Sequence, residues 1–383
     1  MRNVLVIAAE NSAENYGAQV IDEFKKHNSD INFFGIGGER FLERGVDVSI
    51  HNRELSVVGL IEVVSSILKL KKIMGRLFRE ALQRNTAAVL LIDYPDFNLR
   101  MAKKCKKAGI PVYYYISPTV WAWRYSRVDL IKKYVDRLFI IFPFEIEVYE
   151  KEKIPFTYTG HPLLPLIKID ETREDSRKKW GVKKPGLLVT LMPGSRKSEV
   201  AFLLPEMLKA AALLKKDFKI TFFLLLANNI ERDLVSGFLD DGAVDVEVIE
   251  QKHGYNLINA SDLVITTCGT SNLEIAMIGV PFMAVYRLNK LSYFLGKRFV
   301  EIDMYSIVNI LARQRVITEL IQRDFTAENI VKEAKRILQD ETVRGEMLNQ
   351  FARLRTMLSQ EKNPAAIIYE KISADLEARS TAK

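Results

Sequence analysis

The chain has 383 residues and a net charge of +8, and 48% of its residues are hydrophobic while 27% are charged. This length exceeds one ordinary core and this composition excludes a disordered or fibrous protein, so we expect a globular protein of two domains with an anionic partner: a nucleic acid, a phosphorylated substrate or an acidic membrane face. Only two cysteines are present, and no apolar run reaches the roughly 18 to 20 residues of a membrane span, so we expect a cytoplasmic protein that meets a membrane only from inside.

The first elements have the pattern of a doubly wound α/β fold. A short apolar strand over residues 4–8 leads through a polar loop into a helix that ends near His27, and a second strand covers residues 31–36. Glycines at the end of that strand, Gly37 and Gly38 among them, allow close approach to a ligand or form a plain turn. The polar loop contains Glu10 and Ser12.

A very apolar helix is predicted over residues 55–79, with lysines and arginines crowded into its second half. Two interpretations remain open. The helix lies in a membrane interface with its lysines on anionic headgroups, or it packs on the sheet with a solvated basic face. On the first interpretation, the membrane contacts are Val57, Val58, Leu60, Ile61, Val64, Ile67 and Leu68.

The stretch from residue 89 to residue 123 is the most informative part of the first half. Apolar runs at 89–92 and 111–116 predict two buried parallel strands, joined by a helix that ends at Gly109. Asp93 follows the first strand and Ser117 the second, at the sheet edge where α/β proteins bind ligands, with Trp121 just beyond. Asp93 is therefore a candidate general base, although a carboxylate here can instead cap the next helix while the tryptophans belong to the core.

Prolines and a charged run at 170–179 mark a domain boundary. We expect an N-terminal domain over residues 1–166, a C-terminal domain over 167–358, and a last helix, 359–383, that crosses back to the first domain.

Two strand-to-helix loops in the second half predict a phosphate site. Arg196 lies in the first, after a strand at 187–191, where backbone amides and the guanidinium suit a phosphate. Gly269, Thr270 and Ser271 form the second, where free amides and hydroxyls face an anion. Glu274, one turn into the next helix, is suited to accept the hydroxyls of a ribose. Neither loop fits the Walker or Gly-x-Gly-x-x-Gly patterns, so a nucleoside diphosphate fits better than ATP hydrolysis or NAD chemistry.

Other features add less. A second basic-aromatic segment at 290–299 is another candidate membrane contact, and Asn309 lies on a short segment at 306–311. No cysteine or histidine cluster has metal-ligand spacing, so we expect neither a metal nor a cofactor.

Taken together, the sequence resembles the lipid-A-disaccharide synthases, a family of GT-B glycosyltransferases, over nearly its whole length. The matching segments are Ile92–Asn98, Tyr115–Arg124, Pro143–Glu145, Gly160–His161, Pro193–Arg196 with Glu199–Val200, Gly269–Thr270 with Leu273–Glu274, and Val58–Val63. The resemblance implies an α/β GT-B fold, in which two Rossmann-like doubly wound domains face each other across a cleft.

The resemblance also implies the reaction. The family transfers 2,3-diacylglucosamine from UDP to 2,3-diacylglucosamine 1-phosphate, which gives a β-1,6-linked disaccharide 1-phosphate and UDP. It is a hexosyltransferase of lipid A biosynthesis that inverts the anomeric centre without a metal, at the cytoplasmic face of the inner membrane. Its members can be homodimers. Asp93 would be the catalytic base, and Arg196 and the loop 269–271 would bind the diphosphate. Five residues would lie near the sugars: Glu10, Ser12, Ser117, Trp121 and Asn309.

One loop departs from the family pattern, which usually reads Gly-Glu-x-Ser-Gly-Asp. Here Ala9, Ala13 and Glu14 replace the two glycines and the aspartate, and a cysteine, Cys268, precedes Gly269 in the second-half loop. The departure keeps a second GT-B activity open, either a UDP-N-acetylglucosamine transferase to a lipid-linked acceptor or a UDP-sugar epimerase. A nucleic-acid-binding protein is the alternative from charge alone, but no recognised binding module is present.

Overall fold

The structure is a computed structural model that describes residues 2–27, 30–55, 63–118, 120, 125–182, 185–239, 244–250, 254–287 and 303–381. Several predicted contacts lie outside the described residues: Val57, Val58, Leu60, Ile61, Trp121 and the segment 290–299. The side chains of Val64 and Ile67 are likewise outside the description. The chain divides into two compact units, Met1–Leu163 with Leu358–Lys383, and Leu164–Met357.

A parallel sheet forms the centre of the first unit. Its strands are β1 (Arg2–Ala8), β2 (Ile31–Gly37), β3 (Asp47–His51), β4 (Ala88–Ile92), β5 (Val112–Tyr115), β6 (Arg137–Ile140) and β7 (Phe156–Tyr158). They lie in the order β3-β2-β1-β4-β5-β6-β7. The strand order therefore reverses between β1 and β4, where Ala8 pairs with Ile92. In sheets of this kind, ligands bind outside the carboxyl ends of the two strands at that reversal.

Helices cover this sheet, and they explain why its strands are continuously apolar. They are α1 (Asn11–Lys26), α2 (Glu39–Leu42), α3 (Val63–Gln83), α4 (Pro95–Lys107), α5 (Arg127–Tyr134) and α6 (Phe144–Lys151). All five residues of β4 and all four of β5 are buried. A strand covered on both faces gains from an apolar side chain at every position, since neither face meets water.

The helix near the C-terminus, Pro364–Thr381, belongs to the first unit and packs on α1. Tyr369 lies against Phe24 with ring centroids 4.9 Å apart and stacks on His27 at 4.3 Å. Asp375 accepts hydrogen bonds from the Tyr113 hydroxyl at 3.2 Å and from the Arg137 Nε at 3.3 Å. This helix therefore completes the side of the unit that α1 and the ends of β5 and β6 leave open.

Helix α3 is described from Val63 and continues to Gln83, beyond the end of the helix predicted at 55–79. A short 3-10 turn, Asn52–Glu54, lies earlier in the chain. Its later turns bury Ile73, Met74 and Leu77 in the core of the unit, so this part packs on the sheet. Near its start, Leu68 is 63% exposed, as the interfacial interpretation requires of that end.

The second unit has the same architecture. Its strands are β8 (Leu187–Met192), β9 (Ile220–Leu226), β10 (Val246–Glu250), β11 (Leu263–Thr267), β12 (Phe282–Tyr286) and β13 (Glu319–Ile321), and they form a parallel sheet in the order β10-β9-β8-β11-β12-β13. Its helices are α7 (Arg173–Lys179), α8 (Lys197–Asp217), α9 (Arg232–Leu239), α10 (Gly254–Ala260), α11 (Thr270–Ile278), α12 (Ile307–Ala312), α13 (Ala327–Gln339) and α14 (Glu341–Leu358). The helix Pro364–Thr381 of the first unit follows these in the chain and is α15. The strand order of this sheet reverses between β8 and β11.

The two units are therefore both Rossmann-like doubly wound domains, as predicted. Within the described ranges, no helix combines the length and the apolar character that a bilayer crossing requires.

Candidate active site

Two carboxylates lie at the reversal point of the first sheet. Glu10 follows β1 and is exposed, and Asp93 follows β4 and is half-buried. Burial first, and the negative charge of Glu10 second, raise the pKa of Asp93 to about 6, while the backbone amide of Tyr94 acts in the opposite direction. Asp93 is therefore an ionised but weakly solvated carboxylate near neutral pH, which is the state that a general base needs.

The backbone of Asp93 is held in an uncommon conformation. Asp93 and Tyr94 have φ angles of +51° and +47°, in the left-handed region that non-glycine residues rarely occupy. The Asp93 carbonyl accepts hydrogen bonds from Asn98 Nδ2 and from the Tyr114 hydroxyl, both at 2.7 Å, and its amide donates to the Tyr115 carbonyl at 3.0 Å. Three neighbours thus fix where this carboxylate projects.

The alternative that Asp93 caps the following helix is wrong. Helix α4 starts at Pro95, and its N-cap residue is Tyr94, whose side chain makes no capping hydrogen bond. Proline at the first helical position has no amide hydrogen to satisfy, so the helix needs one cap contact fewer. The Asp93 carboxylate is left available for a ligand.

The altered first loop has a structural explanation at Glu14. Its carboxylate is buried and accepts hydrogen bonds from the amides of Gly38 at 2.9 Å and Phe41 at 3.0 Å, and from Asn52 Nδ2 at 3.1 Å. The Glu14 carboxylate therefore accepts hydrogen bonds from the backbone amides at the start of α2, after the Gly37–Gly38 turn. A β-carbon at Gly38 would come within 2.8 Å of this carboxylate. These glycines serve packing inside the unit, in agreement with the plain-turn interpretation.

Ser12 lies half-buried in the first turn of α1, two residues after Glu10. It is thus at the same sheet edge as Asp93. Ser117 is buried, and its hydroxyl is engaged within the protein: it bonds to the Tyr149 hydroxyl and to the Pro118 carbonyl, and it also contacts the carboxyl of Glu145. These contacts give Ser117 a role in holding its own loop, and the sugar contact expected from the sequence stays a prediction.

Glu145 is the centre of that buried cluster. It is 1% exposed, and it accepts hydrogen bonds from the amides of Phe142 at 3.0 Å and Ile141 at 3.3 Å. Burial raises its pKa to about 8, against the lowering effect of these hydrogen bonds and of Ser117. Glu145 therefore ties the end of β6 to the loop after β5.

In the second unit, both predicted anion loops lie at the reversal point. The loop after β8 contains Arg196, and the loop after β11 contains Gly269, Thr270 and Ser271; Thr266 pairs with Met192 across the two strands. Helix α11 starts at Thr270, and within the described chain no side chain caps it. A β-carbon at Gly269 would meet no described atom within 4 Å. Helix α11 therefore starts without a side-chain cap at a glycine that has room beside it, which is the arrangement of an anion site at a helix N-terminus.

Two further groups near this loop lack partners. Thr267 Oγ1 and Asn272 Oδ1 are buried without a hydrogen bond among the described residues, while Asn272 Nδ2 donates to the Thr267 carbonyl at 2.8 Å. Buried polar atoms without partners are uncommon in folded proteins and mark places where a ligand or water completes the structure.

The loop after β8 is arranged differently from the sequence prediction. We expected its backbone amides to hold a phosphate, but the carboxylate of Glu199 accepts from the amides of Ser195 at 3.1 Å and Arg196 at 3.3 Å. These amides are thus already satisfied. The guanidinium of Arg196 contacts the other Glu199 oxygen at 3.0 Å and remains 74% exposed, so it keeps donors for an anion.

Glu274 is half-buried, and one of its oxygens accepts a 3.1 Å hydrogen bond from the Tyr255 hydroxyl. Burial raises its pKa and the hydrogen bond from Tyr255 lowers it. The second carboxylate oxygen is therefore the one suited to a ribose. Tyr255 fixes the orientation of the side chain, a role that sequence reasoning did not assign.

Asn309 lies inside the second unit, and its side chain is fully hydrogen-bonded there. It is 0% exposed, and its Nδ2 donates to the carbonyl of Ile317 and to Glu319, both at 2.9 Å. Its Oδ1 accepts from the amides of Val316 at 2.8 Å and Ile317 at 3.0 Å. Both polar atoms are engaged inside the second unit, so Asn309 stabilises the turn before β13, and its contact with a sugar stays a prediction.

The sequence is similar to known proteins of one family. A family model described as lipid-A-disaccharide synthetase matches residues 4–371. A lipid-A-disaccharide synthase of Geobacter metallireducens is 36% identical over 375 residues, with 97% of each chain covered, and one of Trichlorobacter lovleyi is 38% identical over 347 residues, with 88% of each covered. One of Coxiella burnetii is 35% identical over 97% of this chain and 99% of its own.

Solved structures share the fold at low sequence identity. A UDP-GlcNAc 2-epimerase of Neisseria meningitidis bound to UDP-GlcNAc has a TM-score of 0.66 at 13% identity, covering 98% of this chain and 100% of its own. MurG of Acinetobacter baumannii has a TM-score of 0.61 at 14% identity, with the same coverage. These likenesses establish the GT-B fold. The family match and the relatives go further: the chain belongs to the lipid-A-disaccharide synthetase family, glycosyltransferases of lipid A biosynthesis.

Proposed function

We propose that this protein transfers 2,3-diacylglucosamine from UDP to the 6-hydroxyl of 2,3-diacylglucosamine 1-phosphate, with inversion at the anomeric carbon. The products are a β-1,6-linked disaccharide 1-phosphate and UDP. The observation that carries the proposal is the match of residues 4–371 to one enzyme family. A raised-pKa carboxylate at the reversal point of the first sheet supports it.

In the proposed reaction, Asp93 takes the proton from the acceptor 6-hydroxyl as that oxygen attacks the anomeric carbon of the donor. The bond from that carbon to the diphosphate breaks, and its electron pair leaves with UDP. Attack opposite the leaving group inverts the centre. A base positioned in this way contributes typically about 10² to 10⁴ in rate.

In the second unit, the amides of Thr270 and Ser271 and the guanidinium of Arg196 are the donors that would bind the diphosphate. Charge grows on the leaving phosphate as the glycosidic bond breaks, and donors fixed in place stabilise it without reorganising. Glu274 would accept the ribose hydroxyls with the oxygen that Tyr255 does not occupy.

The proposed location is the cytoplasmic face of the inner membrane, where acylated substrates are held. It is supported by the net charge of +8 and by the 63% exposed Leu68 near the start of α3. An exposed leucine next to lysines is the pattern of a helix end that meets a lipid surface.

The test is turnover of the two acylated substrates in detergent micelles, with products identified by mass spectrometry and UDP measured separately. We expect one UDP per disaccharide phosphate. An epimerised UDP-sugar without disaccharide, or transfer only from UDP-N-acetylglucosamine to a polyprenyl acceptor, would replace this function by the other GT-B activities considered above.

A further inference from the structure

A groove in the first unit lies beside the proposed base and has no role in the function as stated so far. It has a volume of about 900 Å³ and runs between α3 and α4. Tyr94, the residue after Asp93, is at one end of its lining. The rest of the lining is either apolar or cationic, which is the character of a site for an amphiphilic anion.

The cations come mainly from one face of α4. Arg100, Lys103, Lys104 and Lys107 recur at helical spacing, and Lys71 lies opposite on α3. All five are exposed, and among the described residues none of them forms an ion pair. Lys104 lies over the Phe78 ring at 5.3 Å, and Lys103 lies over the Tyr134 ring at 5.8 Å. Their ammonium groups retain hydrogen-bond donors for a ligand.

One carboxylate, Asp96, also lines the groove, and it is paired with Arg127 at 2.9 Å. Asp96 therefore does not neutralise the five exposed cations of the groove. The apolar part of the lining is Leu70, Met74 and Phe97, of which Met74 and Phe97 are mostly buried. A hydrocarbon chain can lie on this floor while an anionic group meets the lysines above it.

We propose that this groove binds the acceptor through its phosphate, with Arg100 and Lys103 as the principal donors and with an acyl chain on Leu70, Met74 and Phe97. The proposal rests on the proposed function, because it takes the acceptor to be an acylated sugar phosphate. An α-helix rises about 1.5 Å per residue, so Arg100 and Lys103 lie within about 12 Å of the start of α4 along its axis, whereas Lys107 lies about 18 Å along. The first two are thus nearer to Asp93.

The experiment uses the full chain and a variant that carries Arg100→Gln and Lys103→Gln. A matched control carries Lys215→Gln and Lys216→Gln, which removes the same charge from an exposed part of α8. Glutamine is a good helix former, and circular dichroism checks that all three proteins fold. Acceptor KM and kcat are measured in neutral-detergent micelles with 2,3-diacylglucosamine 1-phosphate and with its dephosphorylated analogue.

We expect the groove variant to raise the acceptor KM about 10-fold or more, because charge-assisted hydrogen bonds to the phosphate are lost. The KM for the UDP-sugar should stay unchanged, and the preference for the phosphorylated acceptor should largely disappear. The control should behave like the unaltered protein. An unchanged acceptor KM in the groove variant overturns the proposal while leaving the proposed function intact.

Direct binding separates the remaining outcomes. Micelles of the acylated sugar phosphate are titrated into each protein without donor, so that the readout does not depend on turnover. Failure of the unaltered protein to make disaccharide, together with loss of this binding in the groove variant, would overturn the proposed function and keep the groove as an anion site. Turnover that falls only on phosphatidylglycerol vesicles, and not in neutral micelles, would assign the cations to lipid headgroups and overturn the acceptor site.

Discussion

The hydroxyl of Tyr114 donates a 2.7 Å hydrogen bond to the backbone carbonyl of Asp93. Tyr114 is fully buried in β5, the strand next to β4, so the contact fixes the position of Asp93 relative to a rigid element. Together with Asn98, it holds a residue with a left-handed backbone in place. A base that must reach a hydroxyl within hydrogen-bond distance depends on this kind of support.

Tyr114→Phe should lower kcat by roughly 3- to 10-fold, because one hydrogen bond contributes about 0.5–1.5 kcal/mol net. Asn98 still holds the Asp93 carbonyl in the variant, so the effect should be partial. UDP affinity, measured by calorimetry, should not change. A loss of stability with unchanged kcat would show that the contact serves folding alone.

Asp93→Asn should reduce turnover by about 10² to 10⁴, the typical contribution of a positioned base. Asparagine has nearly the same size but accepts no proton at neutral pH, and the backbone contacts of residue 93 remain. Binding of UDP should be close to normal, since the predicted diphosphate site belongs to the second unit. Near-normal turnover in this variant would remove Asp93 from the proposed role.

The pH profile should report the same group. The pKa of Asp93 is about 6, so kcat/KM should rise with pH through that region as the carboxylate loses its proton, and then level off. Glu10→Gln removes a negative charge that raises this pKa, so the acid limb should move to lower pH. An acid limb that stays in place would mean that Glu10 does not act on Asp93.

Stability should also depend on pH through Glu145. Its pKa is about 8 in the folded protein and near 4.3 in an unfolded chain, so the folded state holds a proton that the unfolded state has lost between these values. The free energy of unfolding should therefore fall as pH rises from about 5 to about 8. Glu145→Gln should remove this dependence, whereas Glu147→Gln, at an exposed position of the same helix, should retain it.

Arg196→Ala should weaken UDP binding by about 10-fold, since a charged hydrogen bond to phosphate is lost. The guanidinium is 74% exposed, so the substitution should leave the melting temperature nearly unchanged. Calorimetry measures the affinity, and Lys197→Ala, which removes the neighbouring charge, is the control. Equal UDP affinity in the two variants would count against Arg196 as the diphosphate contact.

The sequence predicted the position of a residue best where an apolar run alone shows that the residue lies at the end of a strand. Apolar runs that end in Asp93 and in the segment 267–271 place these residues at strand ends, and parallel sheets bring such ends to one edge. Strand β3 was missed because Asp47–His51 is short and only Ile50 in it is fully buried. The pattern that marks a buried strand is absent there.

Side-chain partners could not be predicted in the same way. The carboxylate of Glu199 accepts a hydrogen bond from a loop amide that was expected to bind a phosphate. The side chain of Asn309 donates to Glu319, ten residues further along the chain. Such choices depend on where each chain segment lies after packing. Asn98 and Tyr114 were missed for that reason, although Asn98 is within a motif of the family and Tyr114 is in a predicted strand.

Helix α15 is separated from the rest of its unit by the whole of residues 164–357. During synthesis, the ribosome therefore delivers every part of the second unit before it delivers the residues that cover Phe24 and Tyr113. The surface of the first unit that α15 covers therefore stays exposed while nearly two hundred residues are synthesised, and a chaperone has that interval in which to bind it. Translation that stops near residue 357 would give a complete second unit joined to a first unit that lacks α15.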